Sequence, residues 1–385
     1  MLPPESPEVQ GLAGRFRALT HIVASLLAPR WRWALWAGGG IVAAGLIVLL
    51  FRPHPPVVPR PGAIGRFMAG TGRPVVMGFY EPLMETSPAS SSFASLKANY
   101  PKIDVLAPYW FRIGWGGTLE NNTSNRQVTA FAHSHRVEVW PLVGNNGYEM
   151  LTTSTGRHLT VSNLVTLARR GRYDGIVLDW ELVPASQRNN YTHLVGEIGR
   201  AFHRMKKSVA VAVFPKIGVS RDVQGVYDYR ALAREADAIV LMTYDHHESS
   251  TPPGPVAPMN WVSANLHDAL GRIPREKLLL GVATYGYDWG PRGVETLTTT
   301  EANDLLKKLG KKALWAVGSE EPHFTYTDAG GGIHTVWFEN AKTFSQKLEL
   351  VKRTGTAGVA IWRLGGSERA FWKALGYPLA PQARG

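Results

Sequence analysis

The sequence contains no cysteine. That absence excludes a disulfide scaffold, cysteine-ligated zinc, iron–sulfur clusters and a thiol nucleophile. It leaves export open, because an exported chain can simply avoid thiols. Acidic residues are also short, with 30 Asp+Glu against 42 Lys+Arg and a formal net charge of +12. The imbalance implies attraction to anionic surfaces such as phospholipid, acidic polysaccharide or nucleic acid, and charge alone does not choose among them. No Lys-Ser/Thr follows Gly144-Asn145-Asn146-Gly147, so this glycine-flanked loop is not a phosphate loop. His133-Ser134-His135 and His246-His247 lack the accompanying Asp/Glu/His set of a zinc site, and neither a metal nor another cofactor is expected. Lys206-Lys207 and Lys307-Lys308 read as solvated helix faces, so no nucleic-acid partner is expected. With 44% hydrophobic and 19% charged residues, a disordered or collagen-like chain is excluded.

Long apolar runs are scarce as well, which gives weight to the uncharged stretch from Ala34 to Phe51. As a helix it would extend about 27 Å, close to the roughly 30 Å of a bilayer's hydrocarbon core. Trp31, Trp33 and Trp36 lie at one end, where indoles favour the membrane interface. No A-x-A cleavage site follows before Arg52-Pro53-His54-Pro55-Pro56, which argues against a removed signal peptide. The reading is therefore a cytoplasmic segment over 1–33, one transmembrane helix over 34–51, a Pro-rich spacer over 52–73 and a catalytic-sized domain over 74–385. Arg15, Arg17, Arg30 and Arg32 precede the span, while Arg52, Arg60 and Arg66 follow it. The balance leans toward a cytoplasmic N-terminus, with the larger domain facing the periplasm or cell exterior from the inner membrane.

From Pro74 onward, short β-branched runs alternate with helix-like segments. The runs are Val75–Tyr80, Ile103–Phe111, Val137–Val143, Gly175–Glu181, Val209–Pro215, Ala238–Tyr244, Leu278–Tyr285 and Gly358–Leu364. Near-continuous apolarity suits parallel strands covered on both faces. Eight strand–helix alternations predict an α/β fold, a (β/α)8 TIM barrel, with a doubly wound open sheet as the alternative. A small insertion, about 290–340, is expected after strand 7, where His323–Tyr326 and His334–Phe338 read as a hairpin.

The carboxyl ends of barrel strands carry active sites. Here those ends collect Tyr80 and Glu81, Tyr109 and Trp110, Asn145 and Asn146, Asp179 and Glu181, Tyr244 and Asp245, Tyr285 and Tyr287, and Trp362. Aromatics mixed with amides and carboxylates describe a sugar-binding cleft, although any single aromatic could equally be core. The fourth run, Asp174-Gly175-Ile176-Val177-Leu178-Asp179-Trp180-Glu181, is the sharpest signal. Alternation puts residues 177, 179 and 181 on one face. Two neighbouring carboxyls raise each other's pKa, so one can stay protonated and act as a general acid.

These residues resemble the glycoside hydrolase family 18 signature D-G-x-D-x-D-x-E. Met242-Thr243-Tyr244-Asp245 is similar to that family's M-x-Y-D, and Trp362 to its tryptophan at the end of the eighth strand. Gly78-Phe79-Tyr80, Tyr285-Gly286-Tyr287-Asp288-Trp289 and Ala360-Ile361-Trp362-Arg363-Leu364-Gly365 resemble a narrower branch, the modules fused to polysaccharide deacetylases and glycosyltransferases in bacterial exopolysaccharide proteins. The resemblance implies Glu181 as acid, Asp179 as holder of a substrate 2-acetamido group, and Tyr244 as donor to its oxygen. It further implies substrate contacts from Tyr80, Trp110, Asn145, Asn146, Asp245, Tyr285 and Trp362. The implied substrate is a β-linked N-acetylglucosamine polysaccharide, in exopolysaccharide or cell-wall handling. Val177 departs from the pattern, standing where an acid commonly shares a proton with the middle Asp. A weakly active or purely glycan-binding barrel, and a transglycosylase, are the alternatives.

Overall fold

The computed structural model describes residues 73–82, 91–366 and 369–376. The segment 1–33, the span 34–51 and the spacer up to residue 72 lie outside the described residues. Among the described residues no helix is long and apolar enough to cross a membrane.

Eight parallel strands form a closed barrel: β1 (Val75–Tyr80), β2 (Val105–Ile113), β3 (Leu142–Asn145), β4 (Gly175–Asp179), β5 (Ser208–Val213), β6 (Ala238–Leu241), β7 (Leu278–Ala283) and β8 (Gly358–Trp362). Each pairs with its neighbour in sequence, and β1 closes the ring by pairing with both β2 and β8. The expected barrel is therefore the observed one, and the open sheet is excluded by the β1–β8 pairing. Pro141, just ahead of β3, interrupts the expected Val137–Val143 strand; only Glu138–Val139 pairs ahead of it, with Val105 and Leu106.

Alternation divides the apolar residues into two layers. Val75, Met77, Phe79, Val105, Ala107, Leu142, Val177, Ala210, Ala212, Val240, Leu279 and Ala360 fill the barrel interior. Their neighbours, such as Val76, Leu106, Ile176, Leu178, Val211 and Ile361, pack outward against the helices. Helix Arg188–Arg204 shows how the outer layer closes: it buries Tyr191, Leu194, Val195, Ile198 and Phe202, residues spaced to share one face. Helix Ala341–Thr354 starts at a reciprocal Asn340–Thr343 cap and stops at Gly355, whose φ of 66° is left-handed.

Three aspartates fasten the amino-terminal end of the barrel by one device. Asp104, Asp174 and Asp237 each precede an even-numbered strand, and each accepts a 2.9 Å hydrogen bond from the backbone of the strand before it, at Val76, Val139 and Val209. Arg73, His133 and His203 pair with the same carboxylates. The first residue of the Asp174–Glu181 motif thus stabilises the far end of the barrel from the mouth, and His133 is spent on that clamp.

Between β7 and helix Ala341–Thr354 rises a separate five-stranded antiparallel sheet. Its members, in spatial order, are Gly293–Thr298, Tyr285–Gly290, Ile333–Phe338, Glu321–Thr327 and Leu314–Ala316. The expected hairpin is its centre. The expected boundary near 290 is corrected: β7 ends at Ala283, Thr284 donates its N–H to the carbonyl of Trp362 at 2.9 Å, and Tyr285 begins the new sheet.

Candidate active site

The mouth of the barrel is built from the carboxyl ends of β2, β3, β4, β6 and β8 and from the first insertion strand. Val177 points into the barrel and is fully buried. Asp179, two residues on, continues that face to the mouth, and its Oδ1 is buried with no hydrogen-bond partner. Burial, and next the negative charge of Glu181, push the Asp179 carboxyl well above the usual range, against the opposing charge of Arg112. Glu181 is raised by burial and next by Asp245, again opposed by Arg112. Two half-buried acids that resist ionisation together are the setting in which one retains a proton near neutrality.

The backbone that carries Glu181 is fixed from two sides. Asn145, at the end of β3, accepts from the Glu181 N–H at 2.9 Å and donates to its carbonyl at 3.0 Å. The Tyr227 hydroxyl donates to the Trp180 carbonyl at 2.8 Å, while the Trp180 ring stacks on Tyr191 outside the barrel. Asn145 was expected to touch substrate; its amide instead positions the acid. Asn145→Ala is expected to lower kcat about 10- to 100-fold with KM nearly unchanged, because a displacement of about 1 Å is enough for that loss. Steady-state kinetics on an oligosaccharide substrate check this, and an unchanged kcat would remove the positioning role.

Tyr244 lies across the mouth. Gly281 of β7 makes room for it, since a Cβ there would stand 3.0 Å from the Tyr244 ring. Burial, and next the charges of Asp179, Asp245 and Glu181, raise its phenol far above normal, so Tyr244 stays a neutral hydrogen-bond donor. Asp245 follows in a left-handed turn at φ 57°. Its Oδ1 accepts from the Tyr285 hydroxyl at 2.5 Å and the Tyr287 hydroxyl at 2.8 Å. The outer edge of Asp245 is open to solvent, yet the surrounding walls crowd it enough to raise its carboxyl, against the two phenols. Trp362 ends β8 and meets Phe79 edge-on at 5.2 Å between ring centroids.

A cavity of about 290 Å³ opens beside these groups, lined by Asp245, Tyr285, Tyr287 and Trp362 with Thr298 and Arg363 among others. A larger open groove of about 480 Å³ is lined by His246, Trp261 and Pro255; neither space is lined by Asp179 or Glu181, and the smaller one adjoins the acid pair through Asp245, whose charge acts on Glu181. His246 packs on Trp261 at 4.8 Å and His247 lies against the Pro252 carbonyl at 3.0 Å. Among the described residues no group of His, Asp and Glu is arranged to hold a metal.

The structure thus brings Asp179, Glu181, Tyr244, Asp245, Tyr285 and Trp362 to one mouth. It moves Tyr80 and Trp110 out of it. Both are buried in the outer layer, packed on each other at 6.1 Å, while Phe79 and Tyr109 take the inward positions. The error is one residue of strand parity, which strands apolar on both faces do not reveal. Asn146 is exposed and donates to Glu120 at 2.9 Å on the rim rather than into the cavity. Arg112, the cation that opposes both acid shifts, carried no signal in the sequence because it ends a long apolar strand as an ordinary exposed arginine would.

Comparison with known proteins places the chain in one family and agrees with the barrel fold. The model of glycosyl hydrolases family 18 matches residues 88–366. The chain is 28% identical over 306 residues to the "Uncharacterized glycosylase YvbX" of Bacillus subtilis, covering 75% of this chain and 89% of that one. It is 27% identical to the "Cortical fragment-lytic enzyme" of the same organism, covering 71% and 68%. Among solved structures, a chitinase from Chromobacterium violaceum superimposes with a TM-score of 0.72 at 27% identity, over 79% of this chain and 98% of that one.

Proposed function

This chain belongs to the family 18 glycosyl hydrolases, and we propose that it is a membrane-anchored glycosidase acting on β-linked N-acetylglucosamine polysaccharide with retention of configuration. The observation that carries the reading is the pair of half-buried acids, Asp179 and Glu181, set beside the neutral donor Tyr244 at the barrel mouth. In the first step the Glu181 carboxyl gives its proton to the glycosidic oxygen. The carbonyl oxygen of the substrate's 2-acetamido group attacks the anomeric carbon as that bond breaks, and the leaving sugar departs as an alcohol. Asp179 accepts a hydrogen bond from the N–H of the resulting oxazolinium ion, and Tyr244 donates to its oxygen. In the second step the Glu181 carboxylate takes a proton from water as that water attacks the same carbon and reopens the ring. This is the substrate-assisted exception to the two-carboxylate scheme, so carboxyl separation does not set the stereochemistry.

Trp362 supplies an apolar floor for a pyranose ring, and Asp245, held by Tyr285 and Tyr287, faces its hydroxyls. The anchor rests on the uncharged run 34–51 and its flanking tryptophans. The arginine balance and the extended spacer favour a barrel facing the periplasm or cell exterior, among exopolysaccharide or cell-wall polymers. Two relatives carry names of enzymes acting on chitin or on cortical fragments, which supports the substrate class.

The test is incubation of the full chain, in detergent, with N-acetylglucosamine oligomers, chitin and peptidoglycan, followed by mass spectrometry. Shorter products are expected. Longer products would make it a transglycosylase. Binding without any product would make it a glycan-binding barrel, with Val177 as the physical reason.

A further inference from the structure

Asp179 has a hydrocarbon where a buried carboxyl ordinarily has a hydrogen-bonding neighbour. Val177 lies beneath it on the same inward face, and Asp179 Oδ1 is left buried and unpartnered. Buried polar atoms of this kind call for an explanation. One is offered two strands away. Arg112 of β2 stands in register with Gly144 of β3, and Gly144 with Asp179 of β4, so the three share one rung of the barrel. At about 4.8 Å between strands, the Arg112 and Asp179 backbones are about 10 Å apart, and Gly144 between them brings no side chain of its own.

The direction of Arg112 is set by an irregularity in β2. Plain alternation from the inward Tyr109 would turn residue 112 outward. The pairing of β2 with β3 slips between Tyr109 and Phe111, however, and both Trp110 and Phe111 pack in the outer layer, where each meets Tyr173 at about 6 Å. One extra outward residue returns Arg112 to the side of Tyr109, with Ile113 outward again. There the guanidinium lies over the Tyr109 ring, 5.3 Å from its centroid. Tyr109 in turn reaches over Gly144, where a Cβ would come within 2.9 Å of the hydroxyl.

We propose that Arg112 is a positioning residue for the acid pair: seated on Tyr109, it supplies from strand β2 the polar, positively charged neighbour that Val177 cannot supply from strand β4. The inference rests on the family 18 reaction proposed above and goes beyond it, since it states which group opposes the protonation of the middle aspartate when the residue beneath it is a valine. The groups around Asp179 are Glu181 on its own strand, Tyr109 and Arg112 on β2, Tyr191 on the helix outside, Tyr227 after β5 and Tyr244 after β6, with Asp245 acting on Glu181. Against this acidic and phenolic surround, Arg112 is the cation that favours the charged form of both carboxyls.

The sign follows directly. Removing the cation raises the pKa values at which the pair titrates. The acid limb of kcat/KM, which needs ionised Asp179, therefore moves to higher pH, and so does the basic limb, which needs protonated Glu181. In the full chain, Arg112→Gln is expected to shift the whole bell upward by about one pH unit and Arg112→Lys to restore most of the shift, with KM for neutral N-acetylglucosamine oligomers unchanged. A second arm measures binding of the thiazoline derivative of N-acetylglucosamine, a mimic of the oxazolinium ion, against pH. Its midpoint is expected to move upward by the same amount in Arg112→Gln.

An unmoved bell and an unmoved thiazoline midpoint would overturn the assignment. So would a rise in KM confined to anionic glycans with the bell in place, which would make Arg112 a substrate contact. If the parent shows no turnover, the hydrolase reading fails by itself, and the thiazoline midpoint still decides the role of Arg112.

Discussion

Glu181→Gln is expected to lower kcat by on the order of 10³-fold while leaving oligosaccharide binding within a few-fold of the parent. The size of the loss follows from the chemistry: an amide of the same shape cannot release a proton to the leaving oxygen or take one from water. The selectivity follows from the structure. Asn145 grips the backbone N–H and carbonyl of residue 181 rather than its side chain, so the substitution leaves the strand end in place. Trp362, Tyr285 and Asp245, which line the cavity, are untouched. Turnover of chitin oligomers beside calorimetric binding checks both halves. Near-parental turnover would sink the assignment of Glu181 as the acid, and lost binding would mean that its side chain holds the glycan.

The second large effect concerns stability. Lys347, on helix Ala341–Thr354, and Glu339, just after the insertion sheet, are each 1% exposed and lie 2.5 Å apart. Glu321, also buried, accepts from the backbone N–H groups of Val256 and Ala257 at 2.8 and 2.6 Å. Its carboxyl is pushed well above normal by burial and next by Glu339, with Lys347 opposing. Lys347→Met leaves two buried acids facing each other without a cation, a loss of about 3–5 kcal/mol by analogy with other broken buried pairs.

The pH dependence has a definite sign. A carboxyl raised in the folded state contributes stability below its unfolded pKa and loses that contribution as pH rises through the folded value. The deficit of Lys347→Met should therefore grow from pH 5 to pH 8, and denaturant midpoints at the two pH values test it. A deficit equal at both would mean that packing, not charge, dominates. Because Glu321 fastens the loop that leaves Tyr244 and Asp245, the variant should also lose activity at temperatures where it remains folded.

How much of this was legible beforehand depended on the kind of physical signal. The strand rhythm survived into the structure because near-continuous apolar runs need helices over both faces; that left a barrel or a doubly wound open sheet, and the β1–β8 pairing decided for the barrel. Asp179 and Glu181 were legible because carboxyls at the end of an apolar strand have few structural uses. The side of a strand was not legible. Tyr80 and Trp110 were expected in the cleft, yet they pack outward, while Phe79 and Tyr109 face in. When both faces are apolar, alternation carries no mark of which is which. Asn145 shows a different gap: an amide at a strand end can bind sugar or backbone, and only the neighbouring strand decides.

The sequence by itself determined the eight-fold strand–helix alternation, the acid pair, the aromatic character of the mouth and the apolar run before it, because each follows from composition and spacing along one segment, whereas closure into a barrel came from the β1–β8 pairing. Tertiary structure alone decided the slip in β2 that returns Arg112 to the mouth, the rung joining it to Asp179 across Gly144, and the buried Glu321–Glu339–Lys347 group under the insertion. Each of these joins residues distant in the chain, and their energies arise only when folding removes water from between them.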